Sequence, residues 1–206
     1  MQKNRLPREV ITRLPKYLRH LREFALQGKN KVSSGELADR LGITASQVRR
    51  DLGQLGVEGH NGFGYLVGDA HRRIADEIGL YTVQKVAIIG AGNIGHALLG
   101  HRMFRGRGFE LMGIYDHSPD LIGTTIRGIP VQGIEALGQI PPEERPEIVV
   151  LATSSDNAEE TARFVASLGI RGILNFCYTD LELDGVLVEN IHIDDSLMML
   201  SYQINH

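Results

Sequence analysis

The sequence predicts an α/β chain in two parts, a small basic helical unit over residues 1–80 and a doubly wound parallel sheet over residues 81–206. Three observations carry this. Two short helical segments flank a two-residue elbow, Gly42-Ile43. An apolar strand, Val86-Ala-Ile-Ile89, runs into Gly90-Ala-Gly-Asn-Ile-Gly95, the G-x-G-x-x-G pattern that opens a helix behind a phosphate-binding turn. Charge is also divided along the chain. Residues 1–80 hold 14 Lys and Arg against 9 Asp and Glu, a net of +5, and residues 81–206 hold 8 against 16, a net of −8. The first part suits a polyanion and the second does not.

In the first part, Ile11, Leu14, Leu18, Leu21 and Ala25 recur at helical spacing, with basic residues largely between them. Pro15 lacks a donor and clashes one turn back, so the helix is expected to start near Thr12 with Pro15 in its first turn, and Gly28 ends it. Ser33 with Glu36 three residues on is a capping box, and that helix stops at Gly42. Thr44 with Gln47 reads as a second capping box, opening a third helix after the short elbow of a helix-turn-helix. Leu37, Ala38 and Leu41 should face inward, as should Val48, Leu52 and Leu55. Gln47, Arg49 and Arg50 are left pointing outward from the first turns of the third helix. Those positions reach base edges in a major groove, where Gln suits adenine and Arg suits guanine. Two arginines on a helix are ordinarily a solvated face; behind an N-cap after a tight elbow, they read as a DNA contact. Gly59-His-Asn-Gly-Phe-Gly-Tyr-Leu-Val67 then reads as a small β-hairpin, a wing that tracks phosphates or a minor groove. A linking helix is expected from Asp69 to Leu80.

In the second part, Gly90 permits the tight turn, Gly92 lets backbone approach a pyrophosphate, and Gly95 lets the helix pack on the strand. The helix start near Asn93 offers amide donors. The strand Glu110–Tyr115 ends at Asp116, 21 residues beyond Gly95, where an acid meets the adenosine ribose and repels a 2′-phosphate. NAD(H) is therefore favoured over NADP(H). A helix cap or turn residue ahead of Ser118-Pro119 is the alternative role for Asp116, and the combined pattern favours the ribose contact over it. Strands are expected at Ile148–Ala152, Gly172–Phe176 and Val186–Ile191, with a helix from Asn157 to Leu168. The loop from Thr153 to Asp156 lies at the carboxyl end of its strand, where such sheets bind ligand. The final apolar stretch, with Leu197, Met198, Met199, Leu200, Tyr202 and Ile204, should pack on another surface, such as a partner subunit.

With 42% hydrophobic residues the chain has enough for real cores. A single cysteine, Cys177, excludes an intramolecular disulfide or a cysteine-cluster zinc site, and its apolar surroundings suggest a buried small hydrophobe. No apolar run suits a signal peptide or a membrane span, so a cytoplasmic location is expected. No metal site and no catalytic set stands out.

The motifs together resemble the Rex family of redox-sensing transcriptional repressors over nearly the whole chain. The residues carrying the resemblance are Val32-Ser-Ser34, Gln47-Val-Arg-Arg-Asp-Leu52, Gly62-Phe-Gly-Tyr65, Gly90 to Gly95, Asp116 and Gly172-Ile-Leu-Asn-Phe176. The resemblance implies a homodimer with an N-terminal winged helix, a C-terminal Rossmann domain and a last helix exchanged between subunits. It implies that NAD⁺ permits binding to a double-stranded, palindromic operator and that NADH closes the dimer and releases it. The implied DNA-binding residues are Ser33, Ser34, Gln47, Arg49, Arg50, His60 and Asn61; the NAD(H)-binding residues are Gly90, Ala91, Gly92, Asn93, Ile94, Gly95, His101, Asp116 and Thr153. The chain departs from the family pattern at His101, where a Tyr is usual, and at Asn61, where an Arg is common. At His192 the family has an acid that pairs with the partner's arginine, here matched by Arg19, and the usual Pro is missing from Asn175-Phe-Cys-Tyr178. Two other readings follow from the same residues: a small NAD-dependent oxidoreductase, and a DNA-binding paralogue whose NADH response is blunted or lost.

Overall fold

Pro15 decides where the first long helix begins. In the computed structural model, which describes residues 6–60, 62, 64–100, 104 and 108–206, a short helix α1 (Arg8–Ile11) ends ahead of it. Helix α2 (Leu14–Leu26) then starts two residues later than expected, with Pro15 in the first turn, where its missing N–H costs nothing. The buried face of α2 is Leu14, Tyr17, Leu18, Leu21 and Phe24. Ala25 and Ile11 are exposed, which corrects the expected stripe: the aromatic rings of Tyr17 and Phe24 fill the core positions instead.

The chain divides into two compact units, residues 1–82 and 83–206. In the first, β1 (Lys31–Val32) leads into α3 (Ser34–Leu41), whose capping box at Ser33 and Glu36 is formed as expected. Gly42 closes α3 in the left-handed conformation, and Thr44 accepts from the Gln47 amide to open α4 (Ala45–Gln54). Leu37, Val48 and Leu52 are fully buried, each contributing about 1.5–3 kcal/mol through burial. The wing differs from a purely local hairpin. Strand β2 (Tyr65–Leu66) pairs antiparallel with β1 across the two intervening helices, while His60 and Gly64 form a single bridge at the loop. Val67 belongs to the next helix, α5 (Val67–Glu77), not to a strand. A side chain at Gly64 would meet the Val32 carbonyl at 2.3 Å, so this crossing needs a glycine.

The second unit holds a seven-stranded sheet in the order β5-β6-β4-β3-β7-β8-β9. These are β3 (Gln84–Ile89), β4 (Phe109–Asp116), β5 (Thr125–Ile126), β6 (Ile129–Gly133), β7 (Ile148–Leu151), β8 (Gly172–Asn175) and β9 (Leu187–Asn190). All pairings are parallel except the β5–β6 hairpin. Helices α6 (Asn93–Leu99), α7 (Ala136–Gln139), α8 (Ser155–Ser167) and α9 (Ile193–Asn205) complete it. β3 is buried continuously from Val86 to Ile89, as a central parallel strand covered on both faces must be. Its neighbours are β4 on one side and β7 on the other, so the strand order reverses at β3, and the crevice for a ligand lies beyond its carboxyl end. Helix α9 buries none of its residues, and Ile193, Leu197, Met198, Met199, Leu200, Tyr202 and Ile204 all face outward.

Candidate nucleic-acid interface and nucleotide cleft

In the first unit, the amino end of α3, helix α4 and the loop before β2 enclose a cleft of about 530 Å³. Ser33, Ser34, Arg49 and His60 line it, so four of the residues read as DNA contacts come together. Arg49 donates to the Ser34 hydroxyl at 3.0 Å, which aims a cation at the amino end of α3. The Ser33 hydroxyl is occupied by the capping box, bonded to Glu36. Lys29 and Ser33 hold the Glu36 carboxyl down at about 2. Arg49 and Arg50 are exposed. Asn61 falls outside the described residues.

Gln47 is the exception. The capping-box pattern predicts it outward, but only the Thr44 half of that box forms, and the Gln47 side chain lies half-buried along the helix. Its amide nitrogen donates to Asp51 Oδ1 at 2.7 Å, and its amide oxygen accepts from Arg50 Nη2 at 2.8 Å. Asp51 was not singled out from the sequence, yet it is fully buried. Arg13 grips it with Nε at 2.7 Å and Nη2 at 2.8 Å, and the Tyr17 hydroxyl donates at 3.1 Å. Burial alone would raise this carboxyl. Hydrogen bonds from Arg13, Gln47 and Tyr17, with the arginine's charge, outweigh burial and hold it below the ordinary carboxylate value. The signal was present in the sequence: Val48, Asp51, Leu52 and Leu55 share one helical stripe, and a carboxylate there must be buried with partners.

In the second unit, Gly90, Gly92, Asp116, Thr153 and their neighbours His117 and Ser118 line a cleft of about 420 Å³ at the carboxyl ends of the strands. Each glycine has its own reason. A Cβ at Gly90, whose φ is +111°, would stand 2.3 Å from the Ala152 carbonyl, and one at Gly95 would stand 1.8 Å from the Gly90 carbonyl. At Gly92, the N-cap of α6, a Cβ would meet nothing within 4 Å. The first and third glycines thus serve the fold, and the second keeps open space at the mouth of the cleft. Asn93 and Ile94 are exposed beside it.

Asp116 is buried at the end of β4 and does two things at once. Oδ2 accepts from the Ala91 amide at 2.6 Å and Oδ1 from the Ser118 amide at 2.8 Å. The turn role weighed from the sequence is therefore present, and it also fixes the glycine loop. Each oxygen keeps acceptor capacity for ribose hydroxyls. The Ala91 amide, by contrast, points at Asp116, so it is not a donor to a phosphate. His117 is held through Nε2 by the Thr161 hydroxyl at 2.8 Å. Thr153 sits at the cleft edge, its carbonyl accepting from the buried Cys177 thiol at 3.3 Å. Burial pushes that thiol up, against a reactive role. His101 falls outside the described residues.

The amino-terminal part, residues 5–53, matches the family model for a putative DNA-binding protein N-terminus, and residues 82–179 match that for a CoA binding domain. The chain is 39% identical over 205 residues to the redox-sensing transcriptional repressor Rex of Clostridium novyi, covering 99% of this chain and 98% of that protein. It belongs to the Rex family of redox-sensing transcriptional repressors. The Rex of Thermoanaerobacter pseudethanolicus is 38% identical over 205 residues, covering 99% of this chain and 92% of that one. The crystal structure of RSP, a Rex-family repressor, superposes with a TM-score of 0.88 at 36% identity, covering 98% of this chain and 95% of that chain. RSP bound to β-NAD⁺ and operator DNA gives 0.89 at 37% identity, covering 98% and 94%. RSP bound to β-NADH gives 0.87 at 37% identity, covering 97% and 94%.

His192, at the N-cap of α9, pairs with Asp180 of its own chain, Nε2 to Oδ1 at 2.8 Å, beneath the edge of Tyr178. Asp180 raises the imidazole's pKa by hydrogen bond and charge. The buried Asn175 of the Gly172-Ile-Leu-Asn-Phe176 segment ties the following loop together, donating to the Thr179 carbonyl and to Asn190 and accepting from the Cys177 amide. Among the described residues no metal-binding cluster occurs, and no helix is long and apolar enough to cross a membrane.

Proposed function

We propose that this chain is a DNA-binding repressor that reads the NADH/NAD⁺ ratio, NADH releasing it from its operator. The observation that supports this best is the pairing of two sites on a Rex-family chain: arginines on a capped helix after a tight elbow, and a glycine loop whose middle position alone is open. In this reading α4 enters the major groove with Arg50 at a base edge, and Arg49 meets phosphate. Ser33, Ser34, His60 and Asn61 contact the backbone or wing side. The nucleotide's pyrophosphate lies over Gly92, beside Asn93 and Ile94, with Gly90, Ala91 and Gly95 shaping the loop beneath. Asp116 takes the ribose hydroxyls and Thr153 stands on the nicotinamide side; a nicotinamide contact from His101 is the remaining part of the reading. Asp116 repels a 2′-phosphate, which favours NAD(H) over NADP(H).

The nucleotide is a signal here and no hydride is transferred. The apolar face of α9 fits a homodimer in which that helix packs on the partner, and a two-fold dimer matches a palindromic operator with half-sites about one turn apart, ~34–36 Å, or a multiple of it. A repressor works where its operator is, in the cytoplasm. A gel-shift series on a palindromic operator, with NAD⁺ and NADH added separately, tests this. Retention with NAD⁺ and release with NADH are expected; a DNA complex indifferent to both would overturn the sensing role.

A further inference from the structure

The amide of Gln47 lies between two opposite charges. Its nitrogen faces the buried Asp51 carboxylate and its oxygen faces the Arg50 guanidinium. Only one orientation satisfies both neighbours, since flipping the amide would set oxygen against carboxylate and NH₂ against guanidinium. Asp51 itself cannot turn away. Oδ1 accepts from Gln47 and Arg13, Oδ2 from Arg13 and Tyr17, and the carboxylate's acceptor capacity is filled. The order of charges therefore runs from Arg13 at the N-cap of α2, through Asp51 and Gln47, to Arg50 on the exposed face of α4.

A glutamine that reads adenine uses its donor and its acceptor together on the base. Here both are committed within the protein, and using them on DNA would leave the buried Asp51 one donor short. Arg50 spends one N–H on Gln47 and keeps the rest of its fork for acceptors such as guanine N7 and O6.

We infer that Gln47 is a positioning residue: anchored by Arg13–Asp51, it fixes the Arg50 guanidinium for a single guanine and reads no base of its own. This rests on the reading of α4 as the groove-entering helix. It restricts the specificity contacts of that helix to arginine, and it explains why a carboxylate is buried four residues beyond Gln47.

The test is a base-substitution scan across one operator half-site, using the full-length protein with Gln47→Leu, Arg50→Ala and the double variant, each first checked for native melting. Gln47→Lys, which keeps a donor for Asp51 and removes the acceptor facing Arg50, serves as a second variant if the leucine perturbs folding. Arg50→Ala should relax discrimination at one G·C pair by about 5- to 150-fold. Gln47→Leu should relax the same pair and no other, and the double variant should lose no more than Arg50→Ala alone. Loss at a different base pair, multiplicative losses in the double variant, or no effect of Gln47→Leu would each overturn the inference. If Arg50→Ala relaxes no pair, the reading of α4 fails and this inference fails with it.

Discussion

Placing a methyl group at Gly92 separates the nucleotide site from the fold. The residue has φ −72° and ψ −164°, extended backbone that alanine adopts without strain, and its Cβ would meet nothing within 4 Å. Gly92→Ala should therefore melt with a small loss only, about 1 kcal/mol or less, that of alanine for glycine at a helix N-cap. In the proposed site the new methyl would occupy space that the pyrophosphate needs. Losing one backbone bond to a charged phosphate costs about 1.5–3 kcal/mol, so NADH should bind roughly 10- to 150-fold more weakly. Gly95→Ala is the contrast. Its Cβ would fall 1.8 Å from the Gly90 carbonyl, so strand and helix must move apart, at about 1–3 kcal/mol or more. Fluorescence titration with NADH and thermal melting, run on both variants, separate the two effects. NADH binding undiminished in Gly92→Ala, or a melting loss there as large as in Gly95→Ala, would refute the assignment of the loop.

Arg13→Ala strands the buried Asp51 carboxylate and should cost about 3–5 kcal/mol in urea unfolding; a loss below 1 kcal/mol would show the pair to be dispensable. Because Asp51 titrates below its unfolded value of about 3.9, its contribution is complete above that pH and is lost as pH falls through the lower folded value. Asp51→Asn should flatten that acid limb. Asp116→Ala removes both the ribose acceptor and the brace on Ala91 and Ser118, so the ratio of NADPH to NADH affinity should rise while melting falls; an unchanged ratio would assign Asp116 to the turn alone. For His192 the sign is opposite. Its raised pKa means the ion pair with Asp180 is present at low pH and lost as pH rises through the folded value, and Asp180→Asn should return its NMR titration towards about 6.5; an unmoved titration curve would deny the pair.

What the sequence disclosed and what it hid differ in range. The caps at Ser33 and Thr44, the stop at Gly42 and the three glycines around Gly92 are local chemistry, each decided within a few residues. Asp116 was legible because strand length and spacing place it. The β1–β2 pairing was not, because two-residue strands carry no period and their partners lie either side of two helices. The β5–β6 hairpin also escaped notice: its turn places Arg127 at φ +52° before Gly128 at +85°, where Asn or Asp would have announced it. Asp51 is the instructive case. Its place on the Val48–Leu52–Leu55 stripe implies burial, a signal that went unread, and its partners, Arg13 at the N-cap of α2 and Tyr17 within α2, lie more than 30 residues away.

In the proposed function a nucleotide bound in one unit governs DNA held by the other, and following both at once tests that coupling. Operator affinity at fixed salt is compared with NAD⁺ and with NADH, each just above its native Kd, for the native chain and for Gly92→Ala. NADH should weaken the native complex by at least about tenfold relative to NAD⁺, and at the same NADH concentration, which a roughly 10- to 150-fold weaker site leaves largely unfilled, the variant's operator affinity should change far less. Equal affinity with both nucleotides in the native chain, or full NADH release in Gly92→Ala, would contradict the coupling.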